Sequence, residues 1–220
     1  MLHTPRGTCT SFTLLELGLL PVNSEIEYRK LCFLHHILNL PDDDPVKEAY
    51  EDQKLYSFEP NWYNEVCVLL GKYGIEVNEG NIRSLSKKKW KGIIHDAITQ
   101  DALHTLVSNC TSKSKTKNLA YTTLSIQPYF ENLSPAKARL YFQLRGGVFD
   151  VKCNRSYMYN DTICRLCGGD TESVAHILNE CCEIRRSSTQ FDDIYDLNEE
   201  DLLEMLARIS CFKELVDKKE

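Results

Sequence analysis

The 220-residue chain contains no uninterrupted apolar run near the ~18 residues that a membrane-spanning helix requires. It also lacks a signal peptide. The apolar stretch in MLHTPRGTCTSFTLLELGLLP is short, is broken by Glu16, and is followed by no small-residue cleavage site. These absences predict an intracellular protein, cytoplasmic or nuclear, without a membrane partner. No repeat of fixed period is present, which excludes an array architecture, and low complexity is confined to a short Lys/Ser stretch. No phosphate-binding glycine loop and no Gly-x-Ser-x-Gly setting occur. Without a nucleophile or a carboxylate cluster, the expectation is a non-enzyme with no small-molecule substrate.

What is present is ordinary for a globular protein, with 42% hydrophobic and 26% charged residues. The net charge of −6 argues against a protein that coats nucleic acid with its whole surface. The average hides a polarity. Residues 1–80 carry 6 basic and 13 acidic side chains, residues 81–160 carry 13 and 4, and residues 161–220 carry 7 and 15. A basic middle between acidic ends permits a local phosphate-binding face, and it also fits a set of solvated helix faces. Ten cysteines in an intracellular chain are expected as buried thiols, metal ligands or reactive groups rather than disulfides.

The apolar periodicity is helical, and the fold class it predicts is all-α, with one irregular insert around 148–175. A helix after Pro21, capped by Asn23 or Ser24, turns Ile26, Leu31, Leu34, Ile37 and Leu38 inward and stops before Pro41. Pro45 suits the first position of a helix reaching about Leu55. Pro60 opens a third, with Val66, Leu69 and Leu70 inward and Gly71 or Gly74 at its end. Ser86 caps a long fourth helix whose apolar face holds Trp90, Ile93, Ile94, Ala97, Leu103, Leu106 and Val107. A polar loop is expected over 108–118, a helix from Pro135 to Gly146-Gly147, and a final helix after Asn198. That final helix carries the stripe Leu202, Leu203, Leu206, Ile209, Phe212 and Leu215. The expected division is a helical domain over 1–160, a small zinc-binding knuckle over 161–186 and an acidic tail with a helix over 187–220.

The most informative segment runs from Cys164 to Cys181, with the spacing Cys-x2-Cys-x8-His-x4-Cys. The first pair points two thiolates at one ion, and Gly168-Gly169 relieves the tight turn and offers N–H donors to sulfur. A short helix over 172–182, capped by Asp170 or Thr171, brings His176 and Cys181 toward Cys164 and Cys167. Three thiolates and one imidazole form a closed tetrahedral site, and soft sulfur donors favour a single structural zinc ion. A redox Cys-x-x-Cys is the alternative, but it belongs in a βαβ setting that is not visible here. Cys182 neighbours Cys181 and competes with it as the fourth ligand.

CRLCGGDTES and HILNEC together resemble the zinc-binding region at the C-terminal end of non-LTR (LINE-type) retrotransposon reverse transcriptases. LELGLLPVNSEIEYRKLCFLHHILNLP (15–41) is similar to the helical stretch after the thumb in that family. So are NWYNEV (61–66), SLSKKKWKGIIHDAI (84–98), the run from QPYFENL to CNRSYMY (127–159) and FDDIYDL (191–197), so the similarity spans nearly the whole chain. The resemblance implies a segment that helps hold template RNA or target DNA during target-primed reverse transcription, with Cys164, Cys167, His176 and Cys181 as zinc ligands. No polymerase palm accompanies it. Phe191-Asp192-Asp193 lacks the intervening residue of the family's Phe/Tyr-x-Asp-Asp turn and reads as a solvated acidic segment. The expectation is therefore a C-terminal piece without polymerase activity of its own.

Candidate backbone contacts to RNA or DNA are Lys87, Lys88 and Lys91 beside Trp90, the loop residues Lys113, Lys115 and Lys117, and Arg139, Arg145, Lys152 and Arg155. The zinc ion would orient the 172–182 helix against the 135–145 helix and present the 81–155 region as one basic surface. Tyr157 and Tyr159 suit either base stacking or packing. His35, His36, His95 and His104 lack a ligand partner at useful spacing, and the remaining cysteines show no regular spacing. The rival reading is a structural or protein-interaction module whose acidic ends dock on an upstream polymerase core.

Overall fold

The computed structural model describes residues 7–55, 61–184, 189–195 and 197–219. Among these residues the fold is mainly α. Ten helices follow in order: α1 (Thr10–Glu16), α2 (Val22–Leu38), α3 (Pro45–Leu55), α4 (Trp62–Lys72), α5 (Glu79–Ser84), α6 (Lys87–Thr111), α7 (Tyr129–Asn132), α8 (Pro135–Arg145), α9 (Val174–Asn179) and α10 (Glu199–Asp217). A 3-10 turn spans Lys152–Arg155, and β pairing among the described residues is limited to the isolated bridges Leu17–Ile126 and Ile163–Thr171. None of the described helices is long and apolar enough to cross a membrane.

The chain divides into two compact units, one of residues 18–106 and 122–124, the other of 1–17, 107–121 and 125–220. This division differs from the segments 1–160, 161–186 and 187–220 read from the sequence. The knuckle and the C-terminal helix share one unit with α1, α7 and α8, and the boundary falls inside α6.

The first unit, α2–α5 with most of α6, is built around an apolar core. Leu31, Leu34, Ile37 and Leu38 of α2 meet Val66, Leu69 and Leu70 of α4 and Trp90, Ile94 and Ile98 of α6. The Trp90 indole N–H donates to the Leu31 carbonyl at 2.8 Å, so this large side chain is buried without an orphan polar atom. His35 stacks on Trp90 and pairs with the Leu85 carbonyl at 2.9 Å, a core role as expected. Asn61 and Asn78 cap α4 and α5 by accepting from Asn64 and Asn81. Pro60, expected to open α4, lies outside the described residues. Three expectations need correction. Ile26 is 48% exposed, because α2 turns its Leu31/Leu34/Leu38 stripe inward and leaves the first turn at the rim. The buried face of α6 runs Trp90, Ile94, Ile98, Ala102, Leu106, Cys110 in steps of four, so Ile93 falls outside it at 40% exposure. The helix also continues to Thr111, into the expected loop.

The second unit mixes an apolar core with buried charge. Phe12 of α1 packs on Phe142 of α8 with ring centroids 4.9 Å apart. α8 ends in a Schellman motif: Gly147, at φ +61°, donates to the Leu144 carbonyl and Val148 to that of Gln143. Gly146 fills a second requirement there, since a Cβ on it would lie 2.6 Å from the Phe12 ring. Glu16 is fully buried and accepts from both Arg145 Nε and Nη2, at 3.1 and 3.0 Å, and from the Tyr121 and Tyr129 hydroxyls. Burial and the Glu16 carboxylate push both tyrosines up from their ordinary value. Asn198 caps α10 as expected, accepting from Asp201 at 2.9 Å. The inward residues of α10 are Met205, Leu206, Ile209, Phe212 and Val216, whereas Leu203 is 37% exposed.

Candidate metal centre

The knuckle begins where the chain folds back on itself. Cys164 N–H donates to the Asp170 carbonyl at 2.8 Å and Gly168 N–H to the Cys164 carbonyl at 2.9 Å. Gly168 sits at φ +66°, the left-handed conformation that a Cβ disfavours. The Ile163–Thr171 bridge closes the base of this turn, with Glu172 N–H donating to Thr162 at 2.7 Å. α9 follows at once. Its cap is Ser173, which accepts from His176 N–H at 3.0 Å, so neither Asp170 nor Thr171 has that role. The helix is six residues long rather than the expected 172–182. Cys181 therefore lies beyond it, where the chain turns and Cys181 N–H reaches the His176 carbonyl at 2.7 Å.

This geometry gathers Cys164, Cys167, His176 and Cys181, whose ligand atoms all lie within 4.8 Å of one another. The Cys164 and Cys181 sulfurs are 3.9 Å apart, far beyond the roughly 2.05 Å of a disulfide. Cys167 Sγ and His176 Nε2 are 3.4 Å apart. All four groups face each other across a space that can hold a metal ion. Cys182 is exposed, whereas Cys181 is fully buried and is the one of the two that stands among the gathered donors.

The surroundings act on the donors. The Gly169 N–H, followed by His176 and other neighbours, lowers the Cys167 thiol to about 6 against the pull of burial, so a thiolate is available there at neutral pH. Burial and the adjacent thiols push Cys181 up to about 12. A cation between the four would reverse that cost, because a coordinated thiol is deprotonated. His176 Nδ1 faces Glu180 Oε2 at 3.4 Å, leaving Nε2 toward the thiols. That is the carboxylate–histidine relation that orients a metal-bound imidazole. Asp170, His176 and Glu180 form an overlapping trio, but its two carboxylates are exposed.

A second device, without a signal in the sequence, holds the knuckle from behind. Glu172 is fully buried, and its carboxylate accepts from Arg165 Nη2 at 2.8 Å, Arg165 N–H at 2.8 Å and Lys152 N–H at 3.0 Å. Burial opposes its ionisation, yet Arg165 and the two backbone donors win and hold the carboxyl below its ordinary value. The Arg165 guanidinium in turn lies near the Tyr159 and Phe212 rings, at 5.3 and 5.8 Å. α10 and the residues just after it secure the other side. The Arg208 guanidinium donates to the Leu178 carbonyl, and Lys219 Nζ to that of Leu166 at 3.1 Å. The principal partner of α9 is thus α10, not α8 as expected.

The basic candidates separate by environment. Lys87, Lys88 and Lys91 are exposed on the first turns of α6, Lys113, Lys115 and Lys117 are exposed after that helix, and Arg139 is exposed on α8. Arg145 must be corrected: its side chain is 10% exposed and committed to Glu16, so it cannot reach a phosphate. Lys152 is held by Asp161 at 2.7 Å and Arg155 by Asp150 at 3.1 Å, which reduces the charge each offers. Tyr157 is 77% exposed, whereas Tyr159 packs among Lys152 and Arg165. Asp192 and Asp193 are exposed as expected, but Phe191 is core, capped by the Arg208 guanidinium at 4.8 Å. Compared with family models, curated proteins and solved structures, the chain finds no match in any of the three.

Proposed function

We propose that the chain is a zinc-stabilised helical module of reverse-transcriptase origin that binds RNA or DNA and has no polymerase activity of its own. The single observation that carries this reading is the convergence of Cys164, Cys167, His176 and Cys181 on one space. Zn–S bonds of about 2.3 Å and Zn–N bonds of about 2.0 Å at tetrahedral angles require edges of about 3.8 Å for S···S and about 3.5 Å for S···N. The separations of 3.9 Å and 3.4 Å fit both. Four protein ligands leave no open position, so the ion's role is structural rather than catalytic. Its binding energy would serve as folding energy for the 160–184 segment.

The nucleic-acid half of the reading rests on the excess of basic residues over 81–160 and on the resemblance of the knuckle sequence. Native mass spectrometry of the purified protein tests the zinc: one zinc per chain is expected, and a metal-free protein of unchanged fold overturns the reading. Filter binding of RNA and single-stranded DNA at two salt concentrations tests the partner. Salt-sensitive binding is expected, weakened and flattened in its salt dependence by Lys87→Glu with Lys88→Glu. A protein-docking module is the second reading, favoured by the net charge of −6 and by the exposure of Val22, Leu55 and Val68. It gains if no binding occurs even at low salt.

A further inference from the structure

A cleft of about 200 Å³ opens in the second unit between α8, the segment around the 3-10 turn, and α10. Its floor is apolar, with Val148, Phe149 and Phe212 buried, and its walls bring together Arg139, Arg155, Arg165 and Lys213 from four separate stretches of chain. Asp150 and Asp217 also line it, and Asp150 is engaged by Arg155. Arg165 is fixed in place by the buried Glu172 behind it. Arg139 and Lys213 have no ion-pair partner among the described residues and are exposed at the mouth. A concave site with two uncommitted cations, Arg139 and Lys213, and the Gln143 amide offers what a phosphate oxyanion needs.

We propose that this cleft is a phosphate-binding subsite, taking a phosphate of a nucleic-acid backbone or of a free nucleotide. The backbone source rests on the nucleic-acid reading above; the nucleotide source does not. Phosphate oxygens would pair with Arg139 and Lys213, the two cations at the mouth, while the apolar floor receives the neighbouring sugar or base. Lys213 then joins Arg139 and Arg155 as a binding residue, while Arg165, held by Glu172, Tyr159 and the Asp150 carbonyl, lines the wall without donating to the phosphate.

The test uses the full chain and an Arg139→Gln, Lys213→Gln double variant, two exposed positions whose change leaves the fold intact. The probes are an unphosphorylated single-stranded oligonucleotide, followed by fluorescence anisotropy across a salt series, and adenosine monophosphate, followed by calorimetry. The expected result is a loss of oligonucleotide affinity of about tenfold at low salt, with the slope of log K against log salt reduced by about 1.4, about 0.7 per cation removed from a single strand. Unchanged affinity and slope in the variant overturn the subsite while leaving the nucleic-acid reading intact. Binding of the mononucleotide alone, lost in the variant, supports the subsite and overturns the reading. Failure of the wild-type chain to bind either probe overturns both.

Discussion

The two units solve the same problem by different means. The α2–α6 unit closes around Trp90, Leu31, Ile94 and their neighbours, and burial of apolar area supplies its stability. In the knuckle unit two fully buried carboxylates are bound by arginines, and four ligand groups are held together around a space for an ion. The lesson is that α9, at six residues, is too short to be stable through its own hydrogen bonds or its small apolar face. Its order is borrowed from the ligand set, from Glu172 and from α10.

Metal removal should separate the units most clearly. Chelation, or Cys164→Ser, is expected to abolish amide-exchange protection over 160–184 while α2–α5 keep theirs, since structural zinc contributes on the order of 10 kcal/mol in small sites. Uniform loss across both units would break the distinction. Next in size are paired core substitutions. Trp90→Ala should cost about 3–5 kcal/mol with zinc stoichiometry unchanged. Glu172→Ala, which removes the buried carboxylate that binds Arg165 and leaves the Arg165 and Lys152 N–H groups without that acceptor, should cost a similar amount and lower metal occupancy. Denaturant titration with metal analysis reads both.

A smaller effect should appear with pH. Because the folded-state value of Glu172 is depressed, its contribution is fully present above the ordinary carboxyl value of about 4.3 and is lost as pH falls through the lower folded value. Glu172→Gln should flatten that acid limb in the knuckle unit alone, measured as stability against pH. The smallest effects are at the caps. Asn61→Ala and Ser173→Ala should each cost about 1 kcal/mol, but only the second should weaken metal binding, because Ser173 anchors the turn that carries His176.

Much of this was legible in the sequence where the cause is local. Pro45 and Asn198 open helices, Gly146-Gly147 closes one, and the spacing from Cys164 to Cys181 announces a ligand set. The phase of α6 was not legible. Ile93 and Ile98 are equally apolar, and only the partners across the core decide which turns inward. Nor were the Glu16–Arg145 and Glu172–Arg165 pairs. The first joins residues far apart in sequence, and nothing in either neighbourhood marks a charge as destined for the interior. Arg145 consequently reads in the sequence as a surface cation. The length of α9 is hidden for a related reason, since no local stop signal marks its end at Asn179, after which the chain turns to bring Cys181 back to the centre.

That return has a further consequence. The two halves of the ligand set are separated by only the eight residues between Cys167 and His176. A ring this small costs little chain entropy to close, and doubling its length adds only about 0.6 kcal/mol. The clasp should therefore tolerate a changed spacing between its two halves far better than the loss of any one donor, provided that Gly169 and Asp170, whose backbone groups serve Cys167 and Cys164, stay in place.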